Sequence, residues 1–193
     1  FPLKQSFIIY KENSTYIMTF TGGNLVFDIK KLFDDSGALS RNCVAEFNGK
    51  HFVVTNGDLI VHNGVSKESV ASTIVKRTLF EEIDSTNYAN IFVTHNTQKN
   101  EIWVSYPTVG STYCNKALIY NYQLKAFSFR DLPDILHIAL GIVNPGTSAI
   151  VWSGQSQSWI AYSTTENWGQ RNYNPTETSI LMSSTGDTKL YRG

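Results

Sequence analysis

Three Asn-Gly pairs within one short stretch constrain this chain more than anything else in it. Asn42 to Gly64 reads NCVAEF-NG-KHFVVT-NG-DLIVH-NG, with pairs at Asn48-Gly49, Asn56-Gly57 and Asn63-Gly64. Asn-Gly is the favoured occupant of a two-residue type I′ reversal, because both central residues there need positive φ. The runs between the pairs are too short for stable helices and are rich in β-branched and aromatic residues. Cys43–Phe47, Lys50–Thr55 and Asp58–His62 are therefore expected as consecutive antiparallel strands, with the third pair leaving the last of them.

The same rhythm recurs along the chain. Gln5–Tyr10 and Ser14–Phe20 flank Lys11-Glu12-Asn13, and Ile91–His95 and Glu101–Tyr106 flank a polar turn. Leu118–Tyr122 and Ala126–Arg130 enclose Gln123-Leu124-Lys125, and Ser148–Ser153 and Ser158–Ser163 enclose a Gly154 turn. A last pair is expected near Ser179–Ser183 and Thr188–Arg192, after a polar connection over Ser163 to Thr178. Asp28–Asp34 reads equally as a strand or a turn of helix. One segment departs from the pattern: Ser69 to Ile83 spaces Val70, Ile74, Leu79 and Ile83 at helical intervals and predicts one inserted helix. Single hairpins bury little, so successive small sheets must stack to make a core. The expected class is all-β, with short antiparallel meander sheets in a β-propeller-like, partial-propeller arrangement. A β-sandwich is the competing architecture. Residues 1–133 read as propeller-like blades, and 134–193 as a further blade or partial blade of the same body.

Charge and composition narrow the function. Sixteen basic residues balance sixteen acidic ones, so no global field attracts a polyanion. No run of apolar residues approaches the length of a membrane span, and the first residues lack the pattern of a secretory signal. Both ends read as cut from a longer chain. Cys43 and Cys114 have no spaced partners and are expected as two buried thiols rather than a disulfide.

Catalytic and metal patterns are sparse, and neither a cofactor nor a metal is expected. The chain offers no GxSxG elbow, no phosphate-binding loop and no HExxH or CxxC spacing. Asp34-Asp35 before Ser36-Gly37 lacks the twelve-position calcium pattern and reads as a solvated turn. Glu81, Glu82 and Asp84 read as surface charge at a helix end. His51 and His62 fall in paired strands, where packing outweighs zinc binding. Arg130 and Asp131, just before Pro133, read as a strand exit with a pinning Arg. Trp103 must face opposite to Ile102 and Val104 on its strand, giving that sheet a ring-bearing face and an aliphatic face. Trp159, Tyr162 and Trp168, in the most polar region, are the expected contact surface for another subunit or a glycan. The helix, the 134–147 segment and the 163–178 segment interrupt the hairpins and are the expected contact elements.

Several of these stretches also carry a family likeness. FIIYKENSTYIM, CVAEFNGKHFVVTNGDLIVHNG and NEIWVSYPTVGSTYCNKALIYNYQLKAFSFRDLP together resemble the tail structural proteins of short-tailed bacteriophages that form the nozzle of the tail tube, the tail tubular protein B type. The matching elements are the Lys11-Glu12-Asn13 turn, Gly57-Asp58 before a strand ending at Asn63-Gly64, Tyr106-Pro107, the Ala117 to Tyr120 strand, and the Phe127-Ser128-Phe129-Arg130-Asp131-Leu132-Pro133 exit. The likeness spans about Phe7 to Pro133. Proteins of this family are several times longer than the chain, and Phe127 stands where they often have Trp. The resemblance implies a propeller-type body in the virion tail with no catalytic residues. It further implies assembly with other copies and other tail proteins into a ring that DNA traverses without specific binding. No membrane insertion is expected. The alternative is a carbohydrate- or receptor-binding module of a phage adsorption apparatus.

Overall fold

The structure, a computed structural model, describes residues 1–23, 25–142, 178–184 and 190–192. It is mostly β, with antiparallel sheets and one α-helix among the described residues. The strands fall into three sheets, and each strand lies beside its sequence neighbours. Sheet one holds β1 (Pro2–Leu3), β2 (Ser6–Tyr10), β3 (Thr15–Phe20) and β4 (Phe27–Phe33). Sheet two holds β5 (Val44–Phe47), β6 (Lys50–Val54), β7 (Leu59–His62) and β8 (Lys67–Ser69). Sheet three runs from β9 (Phe92–Asn96) through β10 (Glu101–Tyr106), β11 (Cys114–Asn121), β12 (Ala126–Ile142) and β13 (Thr178–Ser184) to β14 (Leu190–Arg192). The segment 28–34, open in sequence, is thus a strand. The hairpin expected over 148–163 lies outside the described residues.

The Asn-Gly pairs reverse the chain as expected, but only the first does so with two positive φ angles. Asn48 and Gly49 have φ of 48° and 68°, the type I′ signs. At the second pair only Gly57 is positive, at 96°. At the third, Gly64 (87°) takes the first central position of a turn closed by Asn63 N–H to the Ser66 carbonyl at 3.2 Å. There the Asn63 side chain accepts the Val65 and Ser66 amides, both at 2.9 Å. The third pair therefore opens a fourth strand, β8, which the sequence reading did not include.

Sheet two is the middle of a stack. Alternation along its strands sends Phe52, Val54, Leu59 and Val61 to one face, where they join Ile102, Val104, Tyr106, Leu118 and Tyr120 of sheet three in one buried cluster. Val44, Val53 and Ile60 point the other way and meet Tyr10 of sheet one and Ala38. All four residues of β7 are buried, as a strand covered on both faces requires.

The helix, α1 (Thr73–Glu82), starts later than the periodicity suggested because Ser72 caps it, its Oγ accepting the Val75 amide at 3.4 Å. Residues 67–69 go to β8 instead. Leu79 is fully buried, with Val75 one turn earlier packed on the same core, while Ile74, expected on the apolar stripe, is solvent-exposed. Two anchors hold the helix. Lys76 pairs with Asp58 of the β6–β7 turn at 2.8 Å, and Glu82 accepts Tyr106 Oη at 2.7 Å and Lys116 Nζ at 2.9 Å.

The expected strand exit at Arg130, Asp131 and Pro133 is corrected. β12 runs 17 residues, and these three lie inside it. Asp131 pairs opposite Lys116 and Ile135 opposite Cys114, so Leu132, Pro133 and Asp134 bulge against Asn115 alone. A proline has no amide to give a ladder, and a bulge is where a sheet tolerates one. The described part of the expected 134–147 contact segment is likewise strand. Beyond the bulge the sheet curls into a half-barrel, bringing His137 to 5.5 Å from the Phe92 ring of β9. Leu132, Ile135, Ile138, Ile180 and Met182 thereby bury Phe92 and Trp103 on the sheet's far face. Trp103 does face opposite to Ile102 and Val104, and both faces are buried.

Sheet one is tied to the stack by a close backbone passage at Gly37. A Cβ there would sit 2.0 Å from the Lys11 carbonyl oxygen and 2.3 Å from that of Glu12, and the Ala38 amide bonds the same Lys11 carbonyl at 2.9 Å. Backbone cannot yield as a side-chain tip does. Gly37→Ala is expected to cost more than about 2 kcal/mol in denaturant unfolding, whereas a change below about 0.5 kcal/mol would show that the passage is not tight.

Candidate assembly interface

The residues most in need of a partner lie on the outer face of sheet one. In β4, Phe27 and Ile29 alternate with Asp28 and Lys30, so the apolar side chains share one face. That face is the one turned away from sheet two. The register aligns Phe7, Met18 and Ile29 in one row across three strands, with Phe20 opposite Phe27 at one end and Ile9, Tyr16 and Lys31 at the other. Phe7 is 53 % exposed, Phe20 68 %, Phe27 51 % and Ile29 57 %. Phe20 and Phe27 pack edge to face, their centroids 5.9 Å apart. Isolated exposed apolar residues are ordinary, but a contiguous face of them marks an interaction surface. None of these residues was singled out from the sequence. The signal available was the Phe-Asp-Ile-Lys alternation, whose apolar phase does not itself say whether it points inward.

Charges on and beside this face are already compensated. Lys31 Nζ pairs with Asp34 at 2.5 Å, and the Lys11 ammonium lies 4.7 Å from the Tyr16 ring centroid. On the opposite face Lys30 pairs with Asp28 at 2.7 Å. Asp35, read as part of a solvated turn, is bonded to Lys67, which holds its carboxyl below the usual carboxylate range.

The inner face of sheet one is joined to sheet two by a hydrogen-bonded chain that fixes two tautomers. His51 Nε2 lies 2.8 Å from the Pro2 carbonyl oxygen and must donate to it, leaving Nδ1 as an acceptor. The Gly64 amide donates to His62 Nδ1 at 3.3 Å, so the proton of that ring sits on Nε2. Tyr10 Oη closes the gap, accepting from His62 Nε2 at 2.5 Å and donating to His51 Nδ1 at 2.7 Å. The run from Gly64 amide to Pro2 carbonyl is thus fully satisfied with both imidazoles neutral. Both histidines are 1 % exposed. Burial pushes His62 down to about 4, helped by the neighbouring His51, and burial likewise lowers His51. Glu46 beside His51 and the Phe1 amino group act on His51 in opposite senses.

The remaining candidates are structural in their contacts. The guanidinium of Arg130 covers the Trp103 ring at 5.4 Å, and Asp131 faces Lys116 across the ladder. Of the acidic cluster, only Glu81 is surface charge. Glu82 anchors the helix, and Asp84 accepts the Thr86, Asn87 and Gly110 amides, which hold its carboxyl low. Cys43 and Cys114 are free and buried, and burial pushes the Cys114 thiol up to about 12. Cys114 lines a cleft of about 420 Å³ with Arg41, Asn42, Tyr113 and His137, and among the described residues no carboxylate lines it. Among the described residues, no group of three or more His, Cys, Asp or Glu side chains is placed to hold a metal ion. Trp159, Tyr162 and Trp168 lie outside the described residues, as does the 163–177 segment. No known protein family matches the chain, and neither does any curated protein.

The tyrosine–histidine chain makes folding stability pH-dependent with a definite sign. His62 titrates at about 4 when folded against 6.5 when free, so between those values the unfolded state binds more protons. Stability is full above about pH 6.5 and falls as pH drops toward 4, by at most about 3 kcal/mol from this residue. Denaturant titrations across that window should show the fall in the wild type and a flatter profile in His62→Gln. Equal slopes in the two proteins would contradict the assignment.

Proposed function

We propose that the chain is a non-enzymatic structural component of a short-tailed bacteriophage tail, a propeller-type block of the nozzle through which DNA leaves. It acts by self-assembly and by contacts with other tail subunits. The observation that carries this reading is the stack itself: sequence-consecutive meanders packed face to face, with an apolar face left open on sheet one. Blades of a propeller pack in this order and by this contact, each a four-stranded meander against the next. Sheets one and two have that size, and the longer sheet three departs from it by curling. The nozzle assignment draws further support from the letters themselves, the Lys11-Glu12-Asn13 turn and the run from Phe127 to Pro133 among them.

The chemistry of the described residues agrees with a scaffold role. Five of their carboxylates, those of Asp34, Asp35, Asp58, Glu82 and Asp84, are engaged in ion pairs and turn caps. The balanced charge suits a surface that DNA passes without being retained.

Light scattering combined with glycan-array screening tests this reading against its alternative. A self-associated species that retains no glycan is the expected result. A monomer that retains a defined glycan would overturn the assembly role in favour of receptor binding.

A further inference from the structure

The three Asn-Gly pairs that shape sheet two differ in the chemistry open to them. We infer that Asn48 and Asn56 are sites of spontaneous, backbone-assisted deamidation, while Asn63, in the same dipeptide, is locked against it.

The reaction needs only the chain and water. The backbone nitrogen of the following residue loses its proton to hydroxide and attacks the Asn side-chain carbonyl carbon. A C–N bond forms to that nitrogen, the bond to the side-chain nitrogen breaks, and the latter leaves as ammonia, taking a proton from water. Water then opens the five-membered imide at either carbonyl, giving Asp or a β-linked isoaspartyl residue with no change of oxidation state. Glycine favours the attack because it has no Cβ to crowd the nitrogen and its backbone turns freely. All three pairs meet that condition in sequence. What separates them is how the two reacting groups are held.

Two of the pairs leave both groups free to move. Asn48 and Asn56 are exposed at the tips of the β5–β6 and β6–β7 hairpins. Among the described residues, neither side chain makes a hydrogen bond, and neither does the amide of Gly49 or Gly57. A Cβ at Gly57 would meet nothing within 4 Å, so that turn has open space around it.

Asn63 contrasts at each point. It is only partly exposed, and its Oδ1 accepts the Val65 and Ser66 amides at 2.9 Å and Ser66 Oγ at 3.3 Å. The attacking nitrogen is engaged as well, because the Gly64 amide donates to His62 Nδ1 at 3.3 Å. That imidazole is a poor base for the amide proton, since burial pushes it down to about 4. Both groups must leave their partners before the imide closes. Reaction at Asn63 therefore waits on local opening of the β7–β8 turn, which only a small fraction of molecules undergo at any moment.

The products bear on sheet two. Each conversion adds one negative charge to a chain whose formal charges balance. At residue 56 the new carboxylate enters the turn that carries Asp58, the partner of Lys76 on α1. The isoaspartyl form also lengthens the backbone of that reversal by one carbon.

Peptide mapping by mass spectrometry, on the full chain aged at mildly alkaline pH either folded or in denaturant, tests the inference. In the folded chain Asn48 and Asn56 should convert at least about tenfold faster than Asn63, and in denaturant all three should convert at comparable rates. Asn63 converting as fast as Asn56 in the folded chain would overturn the lock. Folded rates at Asn48 and Asn56 as slow as at Asn63 would overturn their assignment as reactive sites. An Asn63 that stays slow in denaturant would trace the difference to its sequence neighbours and overturn the structural account.

Discussion

Burial of sheet two on both faces is the constraint from which the rest of the structure follows. A strand covered on one side can alternate apolar and polar residues, but β7 carries Leu59, Ile60, Val61 and His62 with every one buried. Fully burying an aliphatic or aromatic side chain stabilises by about 1.5–3 kcal/mol, and sheet two supplies such residues to both neighbours. His62 is the position where a polar group enters that environment. The bonds from Gly64 through Tyr10 to Pro2 are what make its burial tolerable. The same residues join sheet one to the stack, so a packing requirement of sheet two becomes a specific inter-sheet contact.

The two ends of the stack are resolved differently. Sheet three is long enough to fold over itself, and the bulge around Pro133 supplies the bend. That puts Ile135 and Ile138 over Phe92 and Trp103, so the far side needs no outside partner. Sheet one is a short meander with no such extension, and its apolar phase faces outward. An assembly protein differs from a self-contained domain in just this respect, and the asymmetry between the two ends is the physical content of the structural role proposed here.

Much of the local structure was legible in the sequence because it is set by turn chemistry. The Asn48-Gly49 reversal and the strand pairs it joins lie where residue type alone puts them, and the other hairpins follow from short β-rich runs around polar turns. What sequence did not reveal is set by contacts between distant segments. The strand at Phe27–Phe33 looks ambiguous until β3 pairs with it. The Arg130 to Pro133 run looks like a strand end because proline ends ladders, and only the pairing to Lys116 and Cys114 shows it to be a bulge. Val75 and Leu79, rather than Ile74, face the core because the Ser72 cap fixes the phase of the helix. The open face of sheet one was hidden for a related reason: alternation tells which side chains share a face, and only the position of sheet two tells which face is outside.

Hydrogen–deuterium exchange resolved to single strands tests the central claim most directly. If double burial of sheet two organises the fold, the amides of Phe52, Val53, Ile60 and Val61 exchange only through global unfolding, and protection declines outward to β1 and β4. Exchange in β6 and β7 as fast as in the strands of sheet one would contradict it, since a sheet held between two others cannot open before them.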